Sequence, residues 1–232
     1  MILEELILIG RTVPEPSKKY GVTVCGICYS PEIRRFIRIY PLLIGEFKIK
    51  RRGIFNAKLE VPKHDPRYAS YKLVTYTDTG NEASLRRLKS IFTKNIDSIN
   101  ALNLKKESIG VIQPCDFDIK IKRQKKVFDN RQLKLFDEII HKDFLTGRDY
   151  PLVPCVQIQG QEQNIIPFRD WQIFELIRKN DYKDQLKSKI LSLFQGKETF
   201  FIIGNLLQFQ RRWLVVTYFT YRFDRQLSLF QS

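Results

Sequence analysis

The chain has 232 residues, 43% hydrophobic and 28% charged, a balance that supports a sizeable core and excludes both a disordered polymer and a mini-protein that needs covalent staples. Its 40 Lys and Arg against 25 Asp and Glu give a formal charge of +15, a field that favours polyanionic partners: nucleic acid first, an anionic membrane surface second. Met1-Ile2-Leu3-Glu4-Glu5 carries acids where a secretory signal or presequence carries positive charge, and no run reaches the ~18 apolar residues of a membrane span. The expected location is the cytoplasm, with nucleoid association and no membrane contact, and the four cysteines are expected to be reduced.

Ile2 to Ile9 is a β-prone apolar run stopped by Gly10, and Val22 to Ile27 and Phe36 to Tyr40 are similar runs punctuated by Pro31 and Pro41. All three read as strands. From Ser84 the period changes: Leu85, Leu88, Phe92, Ile96, Ile99 and Leu102 recur at three- and four-residue spacing, which predicts one amphipathic helix with Arg86, Arg87 and Lys94 off its stripe. The period then becomes two. Cys115, Phe117, Ile119 and Ile121 alternate with Asp116, Asp118, Lys120 and Lys122, as in a half-buried strand.

Leu133, Phe136, Ile140 and Phe144 predict a helix over Arg131 to Leu145, closed by Gly147, Pro151 and Pro154. Asp170 is placed to cap a helix running through Ile177. Asp184 is placed to cap another, with Leu186, Ile190 and Leu193 as its stripe and Gly196 as its end. Thr199 to Ile203 and Trp213 to Phe223 are the strongest strand candidates. In the second, Trp213, Val215, Phe219 and Phe223 oppose Leu214, Val216 and Tyr218, so both faces are expected to be covered. Short strands with single helices between groups of them predict a β-rich α+β protein of small barrels, divided near Lys126 to Arg131.

No phosphate-cradling glycine loop is present, and the two histidines, His64 and His141, leave most histidine-dependent hydrolase sites without parts. Cys25-Gly26-Ile27-Cys28 is half of a zinc site at most; its better reading is two small apolar residues in a buried strand and turn. No cofactor, metal or catalytic residue is assigned. The enzymatic alternative is a metal-dependent nuclease or nucleic-acid-modifying subunit using Glu60, Asp65, Asp116 or Asp118, although Asp116 and Asp118 fit a surface paired with Lys120 and Lys122 better. A further alternative is an adaptor subunit of a protein assembly.

Basic clusters carry the leading reading. Lys48, Lys50, Arg51 and Arg52 form one, Arg34, Arg35 and Arg38 a second, and Lys120, Lys122, Arg123, Lys125 and Lys126 a third, with Tyr29, Phe36, Tyr40, Phe47 and Phe55 interleaved among the first two. Lysine and arginine on phosphates with aromatics under bases is how single-stranded nucleic acid is held without much sequence preference. Lys19, Tyr20, Arg34, Arg38, Tyr40, Lys50, Arg51 and Arg67 are the candidate DNA or RNA contacts.

Two stretches share Gln-Leu-x-Leu-Phe. Gln132 to Phe136 lies in a helical stripe whose Leu133 and Phe136 serve a core. Gln226-Leu227-Ser228-Leu229-Phe230 follows the last strand, where exposed Leu and Phe are unfavourable unless a pocket receives them. The second stretch resembles the bacterial sliding-clamp-binding motif, which assigns Gln226, Leu227, Leu229 and Phe230 to a groove on the clamp. The alternative is that the tail packs on its own barrel.

Arg11-Thr12-Val13-Pro14-Glu15-Pro16-Ser17-Lys18-Lys19-Tyr20, then Cys25 and Ile37-Arg38-Ile39-Tyr40-Pro41, resembles the opening of the dual-OB-fold domain family. Asp65-Pro66-Arg67 with Ser70-Tyr71, Asp170-Trp171 and Phe200-Phe201-Ile202-Ile203-Gly204 are similar to its later signatures. The resemblance implies two OB-like small β-barrels with intervening helices: residues 1–127 with an inserted helix, residues 128–224, and a tail over 225–232. It also implies nucleic-acid binding in a mobile-element or defence setting, with effector proteins from neighbouring genes as partners. The chain departs from the family pattern near Gln172 and in its extra C-terminal tail. Under the resemblance Pro14 and Pro16 stiffen a loop that presents Lys19 and Tyr20 at a barrel rim.

Overall fold

The computed structural model describes residues 1–232 except 18, 64, 66, 124–149, 160–162, 180–184, 207–210 and 223–232. The helix expected over Arg131 to Leu145, the Gln132 to Phe136 stretch, His64, His141, Lys125, Lys126, Asp184 and the Gln226 to Phe230 tail therefore lie outside the described residues.

Six strands, β1 (Ile2–Arg11), β2 (Glu15–Ser17), β3 (Gly21–Ser30), β4 (Arg35–Leu43), β5 (Gly53–Glu60) and β6 (Ser70–Glu82), form one sheet in the order β1-β5-β6-β4-β3-β2. β1 also pairs with β3, which closes the sheet into a barrel. β4 and β6 are parallel through Arg38↔Ser70 and Ile39↔Tyr71, and the other pairings are antiparallel. Leu6, Leu8, Cys28, Ile37, Ile39 and Phe55 fill the interior, whereas the alternate residues Ile7, Ile9, Ile27, Tyr29 and Phe36 are buried in a second core outside the barrel wall. Strands buried on both faces read as unbroken apolar runs, which is why β1, β3 and β4 stand out in the sequence. β5 and β6 do not stand out: past Val74 most of β6 is exposed and polar.

The predicted helix from Ser84 to Leu102 is two helices, α1 (Leu85–Lys94) and α2 (Ile99–Leu104). Ser84 Oγ caps the first by accepting from Arg87 N, and Ser98 Oγ caps the second by accepting from Ala101 N. Between them Asp97 N donates to the Val111 carbonyl at 2.8 Å, which takes the chain out of helical bonding. The apolar stripe reads through this break because both helices bury the same kind of residue, yet into different cores: Leu88 and Phe92 outside the barrel wall, Ile99 and Leu102 in the C-terminal core.

The rest comprises β7 (Ile109–Ile112), β8 (Asp118–Arg123), β9 (Leu152–Gln157), β10 (Ile165–Pro167), α3 (Trp171–Lys179), α4 (Leu186–Ser192), β11 (Glu198–Asn205) and β12 (Trp213–Tyr221). Two three-stranded sheets, β10-β9-β8 and β12-β11-β7, meet at a parallel bridge between Phe168 and Val215. The run β8-β9-β10-β12-β11 thus repeats the order β1-β3-β4-β6-β5 of the barrel, with its parallel contact at the equivalent place. β9 passes straight through Pro154, expected in the sequence only as a helix stop. β7 and β8 pair with β11 and β9, so strand partnership changes ahead of the division read near Lys126.

β11 and β12 are covered on both sides, as their composition requires. Phe201, Ile203, Trp213 and Val215 face the C-terminal core, and Phe200, Ile202, Val216 and Phe219 face the barrel. A bulge, where Ile202 pairs Thr217 and Ile203 pairs Val215, reverses the alternation of β12. Tyr218 consequently lies on the Trp213 side and Phe219 on the other, opposite to the expected grouping. The sheet β12-β11-β7 is a wall shared by the two halves. Among the described residues no helix is long and apolar enough to cross a membrane.

Candidate nucleic-acid interface

The β4–β5 connection carries the basic run Lys48 to Arg52 across one end of the barrel and faces α3. Between them lies a cleft of about 700 Å³ whose lining includes Arg11, Lys48, Lys50, Arg51, Trp171 and Lys179. Arg51 bridges the two halves: its guanidinium donates to Gln172 Oε1 and to the Tyr218 carbonyl and sits 4.7 Å from the Tyr218 ring centroid. Arg11 donates to the carbonyls of Phe47 and Ile49, and burial lowers its pKa. These two arginines hold the connection in shape, while Lys48, Lys50 and Lys179 project to solvent.

The cleft's acids do not cancel this charge. Asp170 is 1% exposed; its Oδ1 accepts from Ile173 N at 3.1 Å, the predicted cap of α3, and its Oδ2 accepts from the Thr217 hydroxyl at 2.8 Å. Burial raises its pKa, opposed by the nearby Arg51. Glu175 accepts three hydrogen bonds from Arg178, at 3.2, 3.0 and 2.7 Å, which hold its carboxyl below the ordinary range against the cost of its partial burial. Trp171 lies half-buried at the end of the barrel core and supplies an aromatic wall.

Of the residues picked from the sequence, Lys50 and Arg51 meet in this cleft. Lys19 and Tyr20 lie elsewhere, with the Lys19 ammonium 5.2 Å from the Tyr20 ring and Tyr20 on the rim of a smaller hollow of about 420 Å³ beside Pro41 and Tyr76. Tyr40, half-buried, accepts from Thr23 Oγ1 at 3.4 Å. Arg34 is exposed in the β3–β4 turn at φ 52°.

Arg38 and Arg67 are corrections. Alternation does put Arg38 on the outer face of β4, but that face is roofed by the shared wall, leaving Arg38 3% exposed. Its guanidinium donates to Ser70 Oγ and to the Ser108 carbonyl, both at 3.1 Å, and burial pulls its pKa down to about 10. Arg67 is held by Asp65 at 2.6 Å and by the Asn205 carbonyl at 2.9 Å. Both fasten the barrel to the second half. The interleaved aromatics are also internal: Tyr29, Phe36, Phe47 and Phe55 are at most 9% exposed and pack ring to ring.

Cys25 and Cys28 point to opposite faces of β3, which separates them as a ligand pair, and burial raises both thiol pKa values. Cys115, expected to face inward, is exposed ahead of β8. Asp118 pairs with Lys187 at 2.7 Å, where Lys120 and Lys122 were the expected partners. Asp65 is committed to Arg67, and Glu60 and Asp116 are exposed on separate elements. Among the described residues no three His, Cys, Asp or Glu side chains gather as a metal site.

Sequence reasoning missed Arg11, Lys179 and the convergence on Trp171. Lys50 and Trp171 are more than a hundred residues apart, and the basic run alone does not reveal what it will face. A family described as a domain of unknown function (DUF8758) matches residues 3–101, which spans the barrel, α1 and the start of α2. No curated protein and no solved structure matches the chain.

Proposed function

We propose that this is a non-enzymatic nucleic-acid-binding protein that holds a single strand of DNA or RNA in the cleft between the β4–β5 connection and α3. The observation that carries the reading is the cleft itself: exposed lysines from both halves converge beside an aromatic wall, and the two acids present are already engaged. Phosphates contact Lys48, Lys50 and Lys179, and bases lie against Trp171.

In this reading both halves are OB-like barrels. It is supported by the closed five-stranded barrel, by the repeat of its strand order in the C-terminal half, and by the two parallel contacts at equivalent places. The β3–β4 face, which OB barrels commonly give to single strands, is roofed here by the shared wall, so the strand is displaced to the barrel end. The Gln226 to Phe230 tail adds recruitment to the bacterial sliding clamp, in keeping with a mobile-element or defence role.

Fluorescence anisotropy of labelled single- and double-stranded DNA and RNA against salt tests the reading. Single strands bind more tightly, and Lys48→Glu with Lys50→Glu reduces the magnitude of the log–log salt slope by about 1.4, from about 0.7 per phosphate contact. Binding quenches Trp171, while Trp213, 1% exposed and bonded to Asn103 Oδ1 at 3.0 Å, stays silent. Flat, weak binding to every polymer overturns the reading and assigns the +15 charge to solubility or a protein partner.

A further inference from the structure

At the opposite end of the barrel from the cleft, the β5–β6 loop and the β3–β4 turn come together around Tyr68. Tyr68 is 70% exposed, whereas most of the other rings among the described residues are buried or half-buried. One face is occupied: the Arg35 guanidinium lies 4.3 Å from the ring centroid, and Arg35 is itself drawn by Glu107 at 3.7 Å.

The backbone beneath the ring is pinned on both sides. Arg67 is fixed by Asp65 and by the Asn205 carbonyl, its own carbonyl accepts from Ser70 N at 3.0 Å, and the Ala69 carbonyl accepts from Arg38 N at 2.7 Å. The fully buried Ala69 follows directly. A ring held out from so constrained a backbone, with a cation already stacked beneath it, does not lose much freedom when something stacks above it. Arg34, next to Arg35 in the chain and exposed, is a second cation on the same turn.

We propose that Tyr68 on Arg35 is a stacking subsite for one unpaired nucleobase, with Arg34 taking the neighbouring phosphate. This rests on the nucleic-acid reading above and adds a site the cleft does not contain. Arg35 beneath the ring strengthens it as a platform, because a guanidinium and a base on opposite faces both meet the ring's π-system. β5, eight residues and roughly 25 Å long at ~3.3 Å per residue, runs between the two ends, so the two sites lie at opposite ends of the strand. Substitutions at one therefore leave the other intact.

The test compares wild type, Tyr68→Ala and Tyr68→Trp on two labelled single strands of equal length, one with bases and one abasic, at one salt concentration. Tyr68→Ala weakens binding of the strand with bases about fivefold or more, the low end of what removing one stacking ring costs, and leaves the abasic strand unchanged. Tyr68→Trp keeps the affinity and adds an indole whose emission is quenched by the strand with bases alone. Unchanged melting temperatures in both variants separate these effects from folding. Equal affinity of wild type and Tyr68→Ala for the strand with bases overturns the subsite while leaving the cleft standing. No binding by wild type to either strand overturns both.

Discussion

The guanidinium of Arg38 on β4 donates to the carbonyl oxygen of Ser108 at 3.1 Å, so a buried cation of the barrel is bonded to the backbone that leads into the wall shared by both halves. Its other nitrogen donates to Ser70 Oγ on β6, across the parallel pair. No carboxylate touches it among the described hydrogen bonds and ion pairs; Asp65 acts only at longer range, and burial is what draws its pKa down. Gly204 accommodates the arrangement, since a Cβ there would lie 2.8 Å from the guanidinium.

Arg38→Ala removes the donors, leaving the Ser108 carbonyl with its one remaining bond, from Asn205 N at 3.1 Å, beside a void, a loss of about 3 kcal/mol from the unmade bonds and the cavity together. Urea unfolding measures it. The informative comparison is with Lys50→Glu, which touches no core: Arg38→Ala lowers stability and spares the oligonucleotide affinity of the folded protein, and Lys50→Glu does the reverse. Loss of affinity in Arg38→Ala at unchanged stability would return this residue to the binding surface.

Gly10 on β1 lies against Thr217 in the β12 bulge, where a Cβ on Gly10 would stand 2.1 Å from the hydroxyl oxygen and 2.7 Å from Cβ of Thr217. This is one of the closest approaches between the barrel and the shared wall, and it is possible because residue 10 has no side chain. Gly10→Ala forces the strands apart and costs about 2 kcal/mol or more. Thr217→Ala removes the hydroxyl and relieves part of the clash, so it is less damaging in the Gly10→Ala background than alone. A double-mutant cycle by urea unfolding reads that coupling, and additive losses would show that the two residues do not meet.

The same threonine leads to a pH dependence. Asp170 accepts from Thr217 and caps α3, and burial raises its pKa above the ordinary 3.8. The native state therefore holds this proton more tightly than the unfolded chain. Its contribution to stability is complete below the ordinary carboxylate pKa and is lost as pH rises through the folded value. Asp170→Asn cannot titrate, yet its amide oxygen still caps Ile173 N and its amide nitrogen donates to the Thr217 oxygen. The stability of wild type relative to Asp170→Asn falls as pH is raised from about 4, measured by urea unfolding across pH 4 to 7. A difference that is flat or rises with pH would mean that Arg51 outweighs burial at this carboxylate.

What the sequence discloses and what it hides follow from the same physics. β1, β11 and β12 are legible because strands covered on both faces cannot alternate, and Asp170 is legible as a cap because capping is a local relationship. The break between α1 and α2 is hidden: Ser98 restarts a helix in phase with the stripe, so periodicity continues where hydrogen bonding does not. Arg38 misleads because its partner strands come from distant segments, and an arginine inside a buried wall has the same local signature as one in solvent. Lys50 and Arg51 were found by charge density; their use depends on α3 facing them, a tertiary fact. Tyr68 gives no local signal at all, since its exposure is set by Arg67 being bonded to Asn205 on β11.

The Gln226 to Phe230 pentapeptide makes a prediction that is separate from either nucleic-acid site. Leucine and phenylalanine side chains left in solvent cost solvation unless a pocket takes them, and a clamp groove that receives Gln226, Leu229 and Phe230 would offset that cost. Leu229→Ala with Phe230→Ala should abolish binding to the bacterial sliding clamp in calorimetry while leaving oligonucleotide affinity and salt slope untouched. If instead the tail packs on its own barrel, the double substitution lowers the stability of the isolated protein, and clamp binding is absent from the wild type as well. A clamp affinity that survives the substitution would place recruitment elsewhere on the basic surface, where added salt would then weaken it in step with nucleic-acid binding.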